Sequence, residues 1–145
     1  MNLFDPISKI MTRGVISISP DDSLAKVEEV FSEERIHHLP IVDKGQLVGM
    51  VSKSDFLLFK HGFSDPDKDP QESKYRGRVY KAKDIMTSKL ATLEMSDRIN
   101  VALEVFNKNL FHALPVLDNG ILVGIVTTFD IIKQISIDEG VVAKY

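Results

Sequence analysis

Residues 10–57 align with residues 85–132 at a constant offset of 75, without a gap and with 17 of 48 positions identical. The identities include Ile10-Met11-Thr12 with Ile85-Met86-Thr87, Phe31 with Phe106, His37 with His112, and Leu39-Pro40 with Leu114-Pro115. Leu47-Val48-Gly49 and Leu122-Val123-Gly124 continue the match. A chain that repeats itself in this way is built from two copies of one supersecondary unit, neither of which can cover its own apolar surface alone. Each copy closes on an apolar run, a hydroxyl residue and, three positions on, an aspartate: Gly49 to Asp55 in the first, Gly124 to Asp130 in the second. That order predicts a strand, a sharp turn and a helix start presenting a hydroxyl and a carboxylate, the floor of one or two small-ligand sites.

Within the first copy, the β-branched run Val15–Ile18 predicts a short strand. Ser19 to Ser23 supplies helix-capping residues and acids, and Leu24, Val27, Val30 and Phe31 recur at helical spacing to about Glu34. Leu39–Val42 and Gln46–Val51 read as strands joined at Asp43-Lys44-Gly45, and Lys53–Lys60 as a second helix. The second copy repeats this β-α-β-β-α order with Leu90–Leu93, Ser96–Lys108, Leu114–Leu117, Ile121–Val126 and Thr128–Ser136. The fold class is therefore α/β, α+β in layout: residues 1–61 carry one motif, 62–78 a polar connector, and 79–145 the other. Phe56-Leu57-Leu58-Phe59 leaves its helix no wholly polar side, so it should pack against the other repeat, and against a second copy of the protein as well.

A chain of 145 residues, 43% hydrophobic and without cysteine, can bury a core with no disulfide and offers no thiolate ligand or nucleophile. No apolar run is long enough to span a bilayer, and Met1 to Pro6 lacks the start of a signal peptide, so the expected location is cytoplasmic, away from membrane. A net charge of -3 argues against nucleic-acid binding. The basic run Lys74, Arg76, Arg78, Lys81 and Lys83 reads as solvated surface, or as a source of one cation for a ligand phosphate. Asp65, Asp67 and Asp69 suggest calcium, but an EF-hand loop starting at Asp65 needs glycine and glutamate where Pro70 and Arg76 stand. His37 and His112 occupy matching positions and read as cleft-lining side chains rather than metal ligands. Ser23-x-x-Lys26 lacks its companion motifs, and no Walker loop, Gly-x-Ser-x-Gly or His-Glu-x-x-His occurs, so no enzyme is expected.

The paired Ile-Met-Thr, Leu-Pro and Gly-hydrophobic-Val-Ser/Thr-x-x-Asp elements resemble a tandem pair of cystathionine-β-synthase-type (CBS) domains, the Bateman module, over nearly the whole chain. The resemblance implies two motifs about a pseudo-twofold axis, a homodimer, and clefts that take AMP, ADP, ATP or a related adenosyl ligand in an energy-sensing, regulatory role. It requires no cofactor beyond that ligand. One implied cleft combines Ser52, Ser54 and Asp55 with Thr87, Ala91, Phe111 and His112. The other combines Thr127 and Asp130 with Thr12, Ile16, Ile36 and His37. A helix N-terminus attracts phosphate, the hydroxyl adds a hydrogen bond, and the acid can accept from both ribose hydroxyls. Ser54 adds a hydroxyl where Phe129 offers none, which favours the Ser52/Asp55 cleft.

The same spacing also describes a capping box, which stabilises a helix start with no ligand at all. Two functions follow: a regulatory module that senses an adenine nucleotide and acts in trans on a protein partner, or a ligand-free interaction and oligomerisation scaffold.

Overall fold

The computed structural model describes residues 1–62 and 70–138; Asp65, Asp67 and Asp69, and with them the calcium reading, lie outside the described residues. The chain forms two compact units, and they are not simply its two halves. One is Ile16–Leu90; the other joins Met1–Val15 to the chain from Ala91 onward.

In the Ile16–Leu90 unit, α1 (Leu24–Glu33) leads to the hairpin β1 (His38–Asp43) and β2 (Gln46–Ser52), then α2 (Lys53–Gly62), α3 (Pro70–Val79) and α4 (Ala82–Ile85). Ser23 starts α1 as expected, its Oγ accepting from the Lys26 amide at 3.2 Å. The hairpin turns through Lys44 and Gly45, with φ of 49° and 81°, as a two-residue turn of this hand requires. Leu24, Val27, Val30 and Phe31 of α1 meet Leu39, Ile41, Val51 and Phe56 in one buried cluster. Phe31 and Phe56 lie 5.8 Å apart between ring centroids.

The other unit repeats this plan. A 3-10 turn (Ile7–Lys9) precedes β3 (Leu93–Glu94), α5 (Ile99–Asn109), β4 (Ala113–Asp118), β5 (Ile121–Thr127) and α6 (Thr128–Asp138). Asn119 and Gly120 make the hairpin turn with φ of 48° and 85°. Ile99, Ala102, Phe106, Leu114, Val116, Val126 and Ile131 fill the core. Each stands 75 positions after its counterpart in the first cluster.

Two expected strands shrink to fragments. Of Val15–Ile18, Ile18 alone bridges Ile41 in parallel, and in place of Leu90–Leu93 there is a two-residue strand, Leu93–Glu94, beside β4. The cause is proline. Ile18 donates to the Pro40 carbonyl at 3.2 Å and accepts from the Val42 amide at 2.8 Å. The next rung would need an N–H from Pro40, which has none, and Pro115 ends the other ladder in the same way. A second difference is α3, which falls in the expected connector. Its helix opens on Pro70 and carries a Glu72–Arg76 pair at 2.8 Å, but has no apolar stripe for a periodicity reading to find. It packs on α1 where Gly77 meets Ala25.

The division into units comes from an exchange. Thr12, from the first repeat, trades backbone hydrogen bonds of 2.8 and 3.0 Å with Ile125 of β5, while Thr87, from the second, trades bonds of 2.9 and 3.0 Å with Met50 of β2. Each Ile-Met-Thr segment thus completes the unit built by the other repeat. Upstream the exchange continues. Ile99 donates to the Asp5 carbonyl and Leu24 to the Tyr80 carbonyl, both at 3.0 Å, so the repeat reaches further toward the N-terminus than its identities do.

Glycine makes the exchange possible. A Cβ on Gly49 would lie 2.5 Å from Met86 Sδ; one on Gly124 would lie 2.6 Å from Met11 Sδ and 3.0 Å from the Thr12 carbonyl oxygen. The Met86 thioether can swing aside, but the Thr12 carbonyl is held in its bridge. Gly124→Ala should therefore cost about 1–3 kcal/mol in urea unfolding, and Gly49→Ala distinctly less. Equal costs would show that backbone crowding is not what decides.

Candidate functional site

At both hairpin exits the chain leaves a strand and enters a helix within one residue, Ser52 to Lys53 and Thr127 to Thr128. The first helical amide is satisfied in the same way in each. Lys53 N–H donates to the His37 carbonyl at 2.8 Å, and Thr128 N–H to the His112 carbonyl at 3.1 Å. The residue two positions before each Leu-Pro pair is thereby tied to the helix start of its own repeat. The third amide is satisfied by the hydroxyl: Asp55 N–H donates to Ser52 Oγ at 3.0 Å, and Asp130 N–H to Thr127 Oγ1 at 3.2 Å.

The carboxylates then part ways. Asp130 Oδ2 accepts from the Thr127 amide at 2.8 Å and from the Thr127 hydroxyl at 2.7 Å, so the capping box is closed and half-buried. Asp55 is exposed, and among the described residues its carboxylate accepts no hydrogen bond and joins no ion pair. One acid is spent on its own helix. The other is open.

The remaining expected residues sort by unit. Ser52, Ser54 and Asp55 share the Ile16–Leu90 unit with Thr87, whose bridge to Met50 sets it beside β2 two residues before Ser52. Ile16, Ile36 and His37 belong to this same unit; both isoleucines pack on its core and His37 is exposed. Thr127 and Asp130 share the other unit with Thr12, which bridges Ile125, and with Ala91, Phe111 and His112. Ala91 packs on that core, Phe111 is 38% exposed, and His112 is exposed.

The basic run is largely engaged with its own chain. Arg76 pairs with Glu72, and Lys83 and Lys81 reach Asp21 at 3.0 and 3.5 Å. The Lys83 hydrogen bond and charge hold the Asp21 carboxyl below its ordinary pKa, and Lys83 is raised in return. Among the described residues no group of three or more His, Asp or Glu is placed to hold a metal, and no helix is long and apolar enough to cross a membrane.

The chain as a whole is similar to known proteins. An uncharacterized protein of Methanocaldococcus jannaschii, MJ1404, is 33% identical over 138 residues, covering 90% of this chain and 32% of that relative. The chain spans between 22% and 39% of the length of the first three curated relatives it matches. Among solved structures, the CBS domain pair of protein MJ0100, in complex with 5'-methylthioadenosine and S-adenosyl-L-methionine, aligns with a TM-score of 0.72 at 22% identity over 92% of this chain and 97% of that one. CBSX2 in complex with AMP aligns with a TM-score of 0.72 at 24% identity over 93% and 98%. The CBS domain profile matches residues 7–62 and again 82–137, reproducing the 75-residue offset. The chain belongs to the CBS domain family, whose motif it carries twice.

Proposed function

We propose that this chain is a regulatory binding module for an adenine nucleotide or related adenosyl ligand, held at the start of α2, and that it acts in trans on a protein partner. The observation that carries the reading is the open carboxylate of Asp55 beside a hydroxyl that already caps the helix. In this reading Asp55 accepts from the two sugar hydroxyls through charge-assisted hydrogen bonds, while Ser54 and Thr87 add neutral ones. The ligands of the structural neighbours, AMP, S-adenosyl-L-methionine and 5'-methylthioadenosine, define the class to test. In this reading the site binds a ligand and does not catalyse. Regulation then requires that the ligand prefer one arrangement of the protein over another.

A scaffold reading draws support from apolar surface: Leu58 of α2 is 74% exposed, and Phe129 and Ile132 of α6 are 69% and 62% exposed. We take these helices as the faces of a homodimer, compatible with ligand binding. Leu58→Asp combined with Ile132→Asp should convert the dimer to a monomer by light scattering. An unchanged mass would place the interface elsewhere.

The two aspartates give opposite outcomes when removed. Asp55→Ala should abolish or weaken nucleotide binding at least tenfold in calorimetry, with unfolding stability held within about 0.5 kcal/mol. Asp130→Ala should cost about 0.5–2 kcal/mol of stability through loss of its cap, and leave binding at Asp55 intact. Unchanged affinity in Asp55→Ala would remove the ligand from this helix start. Absence of stabilisation by AMP, ADP, ATP, NAD and S-adenosyl-L-methionine at millimolar concentration would leave the scaffold reading alone.

A further inference from the structure

The two methionines that cover the exchange glycines are equivalent in sequence but not in exposure. Met11 lies in the buried cluster of its unit and is 7% exposed. Met86 packs at the edge of the other cluster and is half-buried, so solvent reaches part of it. Its seat is tight nonetheless. A Cβ on Gly49 would lie 2.5 Å from Met86 Sδ and 2.9 Å from its Cγ, so the thioether rests where a side chain would otherwise stand. The next residue, Thr87, trades the two backbone hydrogen bonds of 2.9 and 3.0 Å with Met50. One half-buried sulfur thus sits directly beside the bridge that closes the Ile16–Leu90 unit.

A thioether suits that seat because it is apolar, and a single oxidation removes the property. Conversion to sulfoxide makes the side chain polar and adds an oxygen that seeks a hydrogen-bond donor. The adjoining amides, those of Met50 and Thr87, are already spent on each other's carbonyls. The new oxygen therefore either takes one of these amides and breaks the bridge, or turns to water and carries the side chain off Gly49. Both routes loosen Thr87 from β2. Upstream the loosening stops at α4, which is pinned separately: Ala82 N–H donates to the Asp22 carbonyl at 2.8 Å and Lys83 N–H to the Pro20 carbonyl at 3.0 Å. Downstream, Thr87, Ser88 and Lys89 are all exposed. The change is confined to a short stretch and does not unfold the unit.

We propose that Met86 is a reversible oxidation site, and that its sulfoxide releases residues 86–89 from β2 while the shielded Met11 leaves the other unit closed. The oxidant is hydrogen peroxide. A sulfur lone pair takes one peroxide oxygen, the O–O bond breaks, and the other oxygen leaves as water after a proton shift. Sulfur gives up two electrons and the peroxide gains them. In the reverse direction a dithiol takes the oxygen away as water and becomes a disulfide. No ligand takes part in these steps.

The test treats the full chain with hydrogen peroxide, following each methionine by peptide mass spectrometry and backbone opening by amide hydrogen exchange. Met86 should oxidise roughly tenfold faster than Met11, because oxidation follows exposure. Exchange at the Met50 and Thr87 amides should then rise roughly tenfold, with Thr12 and Ile125 unchanged. A methionine sulfoxide reductase with dithiothreitol should reverse the rise. Met1 and Met95 are half-buried too and will also react. Met86→Leu keeps those two reactive and should abolish the rise. Oxidation of Met86 no faster than that of Met11 would overturn the proposal, as would a Met86 sulfoxide that leaves both amides protected. Both readings come from the wild type and hold whether or not the leucine variant folds. An equal rise in a folded Met86→Leu would assign the effect to Met1 or Met95 and overturn the proposal as well.

Discussion

The pairing of each Ile-Met-Thr segment with the hairpin strand of the other repeat is the contact on which the structure depends. Two backbone hydrogen bonds fasten Thr87 to Met50 and two fasten Thr12 to Ile125, while a methionine lies flat over the glycine next to each rung. A side chain at that glycine would lift the methionine and open the bridge. The bond itself is ordinary; its consequence is topological. A segment tens of residues away along the chain closes each core, so neither repeat reaches its buried state without a piece of the other. Ile7 sits in one core and Ala82 in the other, each delivered by the exchange. Contacts this distant in sequence carry a loop-closure cost that local packing must offset.

This bears on how much could be read before any coordinates. The hairpins were legible because Lys44-Gly45 and Asn119-Gly120 satisfy a turn that few residues tolerate, and the helices because their apolar residues fall at the right spacing. The helix starts were legible for the same local reason. The exchange was not, because an offset of 75 looks identical whether Met11 packs on Gly49 or on Gly124. Repetition states what resembles what, not what touches what. The shortened first strands had a sign that was present but unread: a proline in the neighbouring strand removes a donor from a ladder whose partner had yet to be identified. Helix α3 had no such sign, since its Glu72–Arg76 pair and Gly77–Ala25 contact leave no periodic apolar signature.

The candidate site was half legible in the same sense. Ser52 with Asp55 and Thr127 with Asp130 could be located, and the capping and ligand readings could both be stated. What the sequence could not divide between the pairs was the state of each carboxylate. Thr127 offers its amide and its hydroxyl to Asp130 together, whereas Ser52 offers its hydroxyl to the Asp55 amide and leaves the acid open.

On the proposed reading, that division has an energetic meaning. An acid already holding two hydrogen bonds must give them up before it can accept from a sugar, and a net hydrogen bond to a charged group is worth about 1.5–3 kcal/mol. Set against the gain from the new contacts, that loss cancels much of the advantage and lowers affinity by at least a factor of ten. An open acid meets the ligand with nothing to give up beyond its water. Two helix starts of one design thus differ in side-chain partners: one carboxylate closes its own cap and the other is left open. Cores tolerate little such divergence, because Phe31 and Phe106 or Leu39 and Leu114 must fill the same space. The rim tolerates it easily: Lys53 against Thr128 and Ser54 against Phe129 alter charge and shape at positions that belong to neither buried cluster.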